Sequence, residues 1–165
     1  MDGALLFLRL VVGLAMIGHG TQKLFGWFGG YGLAGTGGFF ESLGFRPGPV
    51  FALFAGLGEA GGGALIALGL FGSLGPAAIV MVMLVAIFTV HISKGFFAPN
   101  GWELNSVYIA AAVTIAYAGA GAYSLDRAFG FTLFTATLPT CYLMTAAIVL
   151  AILNLFVRRP AQQQQ

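Results

Sequence analysis

The sequence predicts an all-α protein: a polytopic membrane helix bundle with a four-helix core and a fifth, C-terminal transmembrane helix. Three observations carry this. The 165 residues are 59% hydrophobic and 7% charged, whereas soluble domains carry roughly a quarter charged residues. The mean hydropathy is +0.94. The apolar residues fall into runs close to the ~20 residues that cross a bilayer, separated by segments rich in glycine, proline and polar residues. So few charges could not coat a water-soluble globule, and no basic cluster suits nucleic acid. The 26 glycines suit close packing between membrane helices.

The first span is expected from Ala4 to Gly26. It has no basic leader and is long for a cleaved signal, so it reads as an uncleaved span of a bacterial-type cytoplasmic (inner) membrane. Arg9, near its start, either snorkels to the interface or forms a structural pair with Asp126. His19 and Lys23 are four apart and share one helix face, about 6 Å apart along the axis. Trp27 to Pro49 is a glycine-rich connection that cannot span. Within it, Gly37 to Phe45 suggests a short interfacial helix, with Phe39, Phe40, Leu43 and Phe45 against lipid headgroups or capping the bundle. Glu41 and Arg46 read as solvated.

The second span, Val50 to Phe71, carries Glu59 near its middle. A carboxylate there is either neutralised or paired with a cation. Gly58 and Gly62 would let a neighbouring helix come close. After a turn at Gly72 to Gly75, Pro76 suits the start of a third span that runs to Phe97 and carries His91 and Lys94. Pro99, Asn100 and Gly101 mark a turn within Ala98 to Trp102. The fourth span is Leu104 to Gly121, with Glu103 at its entry, where a carboxylate also suits the helix dipole. Tyr108 and Tyr117 either pack in the core or face a pocket. Tyr123 to Gly130 is a polar break, and Thr135 to Val157 is the fifth span, with Pro139 tolerated in its first turn. The expected organisation is a membrane domain over 1–126, an added span over 127–157 and a disordered polar tail over 158–165.

Antiparallel connectivity fixes relative depth. If the first span starts at face A, then His19, Lys23, His91, Lys94 and Glu103 fall in the half next to face B, with Glu59 at mid-depth. These six are the candidate catalytic residues, because ionisable groups in hydrocarbon are costly unless they neutralise one another. Arg9 and Asp126 meet at face A. Discounting the two pocket lysines, Arg46, Arg158 and Arg159 at face B outnumber Arg9 and Arg127 at face A, which places the C-terminus in the cytoplasm. Cys141 stands alone, so an intramolecular disulfide is impossible, and electron chemistry would need a bound cofactor or a partner. No metal site is expected.

The chain resembles the DoxX family of small integral membrane proteins from about Leu5 to Asp126. The resemblance is carried by Arg9 with Gly13, GHGTQKLFG around His19 and Lys23, GGFFESLGF, GLGEAGGG around Glu59, VHISKGFF with His91 and Lys94, Glu103, and YSLD ending in Asp126. GAGAYSLD departs from the family's frequent GPGRYSLD, so an interfacial cation is missing. The resemblance implies a four-helix membrane bundle associated with respiratory or redox systems, relatives being linked to a terminal quinol oxidase and to thiosulfate:quinone oxidoreductase.

Two functional readings stay open, and with them whether the chain is an enzyme. In the first it is a quinone-linked oxidoreductase component. His19, His91 and Tyr108 form the candidate quinone pocket, Lys23 or Lys94 stabilises a developing oxyanion, and Glu59 relays protons. No flavin, haem or dithiol signature supplies the electrons. In the second it is a non-catalytic accessory subunit of a larger membrane complex of the respiratory or other electron-transfer kind. A small transporter is a lesser reading, since no inverted repeat is present. Haem held by His19 and His91 is another. Beyond the lipid bilayer, protein partners or a homo-oligomer are expected.

Overall fold

The computed structural model describes residues 1–97 and 101–159. Ala98, Pro99 and Asn100 of the expected turn lie outside the described residues, as does the tail from Pro160 onward. The described residues are helical and contain no strand.

The first helix, α1 (Asp2–Phe25), stops where Gly26 turns left-handed at φ 74°. A 3-10 turn at Trp27–Gly29 leads to α2 (Gly32–Ser42). This helix begins earlier than the expected Gly37, because the segment is held by packing rather than propensity. A Cβ at Gly37 would lie 2.9 Å from Pro49. Of the aromatic residues expected against lipid headgroups or capping the bundle, Phe45 is fully buried, while Phe39 is about half exposed.

Next come α3 (Gly48–Leu68), ended by left-handed Gly69, and α4 (Leu74–Ala86). The third span was expected to run from Pro76 to Phe97. It changes pitch, with a wide π turn at Ile87–His91 followed by a tight 3-10 turn at Ile92–Lys94. The remaining helices are α5 (Glu103–Ala118), the short α6 (Leu125–Phe129) and α7 (Thr137–Val157).

Among the described residues, four helices are long and apolar enough to cross a membrane: α1, α3, α4 with its continuation to Lys94, and α7. With 16 residues, α5 reaches only about 24 Å. Its flanks are tied to neighbouring segments. At one end the Trp102 and Glu103 amides donate to the Gly95 and Phe96 carbonyls. At the other, the Ala120 carbonyl accepts from Arg9 and the Ala122 amide donates to Asp2 at 2.9 Å.

Helices α1 and α3 run antiparallel in close contact. A Cβ on Gly13 would lie 2.6 Å from the Gly63 carbonyl oxygen, and one on Gly20 would lie 2.6 Å from that of Gly56. Glycines seven residues apart on each helix thus form one smooth seam, the close approach that small residues permit in membranes. Gly62 and Gly58 let α4 approach α3 in the same way, against the Gly75 carbonyl and the Val82 side chain. On α4 lies α7, whose last residues return to face B. There the Arg159 amide donates to the Gly44 carbonyl at 2.9 Å and the Arg158 guanidinium donates to that of Leu43. The apolar core runs through Met16, Ile66, Ile79, Met83, Ala112 and Met144.

Candidate functional site: a buried ion pair between two glycine-seamed helices

Helical side chains lean toward their own N-terminus. Because α1 and α3 are antiparallel, Lys23 leans toward mid-membrane and Glu59 leans toward face B. They meet: Lys23 Nζ donates to Glu59 Oε2 at 2.5 Å. The Glu59 side chain is 4% exposed and that of Lys23 26%. The second option for a mid-span glutamate, pairing with a cation, is the one this chain uses, and the glycine seam is what brings the backbones near enough. Low dielectric makes such a contact strong once formed, and costly to leave half-made.

One turn closer to face A on the same side of α1, the His19 ring meets Tyr108 of α5 edge-on, with centroids 6.1 Å apart. Both residues are half-buried. The main packing partner of α5 is α4, and α1 touches it only sparsely, so the His19–Tyr108 contact bridges a thinly filled seam. The π turn carries His91, and Glu103 opens α5; both are half-buried. Lys94 ends the 3-10 turn and is exposed. Of the six candidate residues, then, Lys23 and Glu59 are joined directly.

Arg9 and Asp126 were expected to pair. Both are buried at face A, with Arg9 1% and Asp126 4% exposed, yet each is bonded to backbone rather than to the other. The Arg9 guanidinium donates to the carbonyls of Ile66 (3.0 Å), Ala67 (2.9 Å), Tyr123 (3.0 Å) and Ala120. Asp126 accepts from the amides of Phe71 (2.8 Å) and Gly72 (2.7 Å). Helix ends leave carbonyls and amides unsatisfied, and in hydrocarbon those groups outbid a direct ion pair.

Sequence reasoning missed two features. Asn105, 8% exposed, donates its amide to Met83 Sδ at 3.4 Å; a lone amide in an apolar run was the available signal. The π turn at His91 has no local signal, because its residues are as helix-compatible as their neighbours. Among the described residues no cluster of histidine, cysteine or acidic side chains could hold a metal ion.

No curated protein and no solved structure matches the chain. The DoxX family model matches residues 4–92, which is more than half of the sequence. The matched segment holds His19, Lys23, Glu59 and His91, and it ends before Lys94, Glu103, Tyr108 and Asp126. With a multi-pass helix bundle, the Lys23–Glu59 pair between its first two spans and this match, the chain belongs to the DoxX family.

Proposed function

We propose that this protein is a component of quinone-linked redox metabolism in the membrane, with its polar site between α1, α3 and α5. The observation that carries the reading is the Lys23–Glu59 pair, a carboxylate almost fully buried and held at 2.5 Å by a lysine that itself reaches the surface. Such a pair would offer a proton a route from the buried carboxylate to the partly exposed lysine at the protein surface. His19 and Tyr108 stand one turn deeper. Their N–H and O–H groups would donate to the carbonyl of a quinone ring entering from the bilayer through the thin α1–α5 seam. A bound quinone would supply two-electron, two-proton chemistry. The chain's own residues would orient the ring and carry protons, while a partner protein would supply or take the electrons.

On this reading the functional unit is the membrane domain over 1–126. The protein works within a membrane complex of a bacterial cytoplasmic membrane, with its C-terminus in the cytoplasm. Native mass spectrometry of the protein, gently extracted from its own membrane, tests it. The expected result is a quinone mass that disappears in His19→Ala and falls in Glu59→Gln. A fixed set of partner proteins with no quinone would instead make the chain a non-catalytic subunit.

A further inference from the structure

At face A, away from the Lys23–Glu59 pair, the segment that follows α5 lines a shallow, open cavity of about 320 Å³. Its walls include Gly121, Ser124, Asp126, Arg127, Phe131 and Thr132. This segment lies beyond the residues the family model matches. We propose that the cavity holds the phosphate headgroup of an anionic phospholipid.

The polar half of the site carries one exposed cation, Arg127, beside the buried Asp126 and with the Asp2 carboxylate occupied by the Ala122 amide. Arg127 is exposed, and among the described residues its guanidinium makes no ion pair or hydrogen bond. A guanidinium matches phosphate geometry with parallel donors. The hydroxyl of Thr132 is likewise uncommitted among the described residues. Asp126 does not repel an anion strongly, because its oxygens already accept the Phe71 and Gly72 amides and Arg9 lies close by.

Phe131 is the aromatic wall of the cavity, and it continues outside it into a ledge of rings. Phe71 stacks on Phe131 with centroids 5.9 Å apart, and Phe129 lies 5.8 Å from Phe131. Phe129 is 64% exposed and Leu133, beside them in sequence, 70%. Phe71 holds a left-handed backbone at φ 58°, a conformation that costs a bulky residue energy. The Asp126 carboxylate, bonded to the Phe71 amide, fixes it there. Strain kept in this way is typical of ligand clamps. A cation beside an aromatic ledge at the membrane surface fits a lipid, whose phosphate is anionic and whose chains are apolar. Inorganic phosphate would use the cation alone and leave the ledge idle.

Native mass spectrometry of the full chain titrated with phosphatidylglycerol or phosphatidylcholine tests this. The expected result is preferential retention of one phosphatidylglycerol, weakened about tenfold in Arg127→Gln. Arg46→Gln, exposed at the opposite face, should change nothing. Phe131→Ala should also weaken lipid retention, and inorganic phosphate at equal concentration should not displace the lipid. Equal retention of the two lipids, or retention unchanged in Arg127→Gln, overturns the site. Displacement by inorganic phosphate at equal concentration overturns the lipid assignment and leaves a free-anion site. Arg127 is exposed, so loss of binding in its variant is not loss of fold; Thr132→Val provides a second, milder variant.

Discussion

At the scale of single residues, the partner of Glu59 decides how the site behaves. Lys23 and Lys94 were equally eligible by sequence, since both sit in the half near face B. The structure gives the contact to Lys23 and leaves Lys94 exposed. Lys23→Met should therefore leave a carboxylate unpaired and cost about 2 kcal/mol, the lower side of the range for buried pairs because Lys23 is partly solvated. That is roughly a 4–8 °C fall in thermal midpoint for a chain of this size. Adding Glu59→Gln to Lys23→Met should restore most of it. A detergent-solution melting series over the wild type, both single variants and the double variant checks this, and a double variant as unstable as Lys23→Met would sink the pairing. Arg9 is the second residue-scale case. Lysine carries the charge but not the planar fork that reaches four carbonyls. Arg9→Lys should cost about 2–4 kcal/mol, read in the same melting assay, despite conserving charge.

Between elements, the α1–α3 seam matters more than any single polar group. Gly20 has no space for a side chain: a Cβ there would sit 2.4 Å from the Ala60 backbone nitrogen. Gly20→Val must push the helices apart, and Lys23 then loses its reach to Glu59. The expected outcome is loss of monodisperse protein on size-exclusion chromatography. Gly18→Ala, where nothing lies within 4 Å, should elute as wild type. A Gly20→Val protein that elutes and melts like wild type would show that the seam does not set the ion pair. The clasp between α7 and the α2–α3 loop gives another element-scale test. Arg159 and Arg158 hold Gly44 and Leu43, so a chain truncated after Val157 should be cut faster within 43–46 by limited proteolysis. Unchanged cleavage would mean that the loop is held by Phe45 alone.

For the whole molecule, antiparallel connectivity puts Arg46 and Arg158 at one face and Arg127 at the other. In a Cys141→Ser background, Arg46→Cys and Arg158→Cys should react with a membrane-impermeant thiol reagent from the same side, and Arg127→Cys from the opposite side. Labelling of all three from one side would refute the arrangement.

What the sequence determined by itself was the bundle and the rough depth of its charges. Hydropathy is a local, one-dimensional property, and the cost of ionisable groups in hydrocarbon is severe enough to announce them. Glu59 and Lys23 were legible for that reason, and so was the stop at Gly26, where a left-handed residue ends a helix, whereas the second span, expected to run to Phe71, stops at Leu68 before left-handed Gly69. Tertiary structure alone decided which charges touch. Pairing depends on how each helix is rotated and how closely two backbones approach, and those quantities come from glycine contacts between distant segments. Hence the expected Arg9–Asp126 pair resolved into two sets of backbone bonds. Hence also His91 fell on a π turn that no neighbouring residue foretold. The fold followed from the solvent; the site followed from the packing.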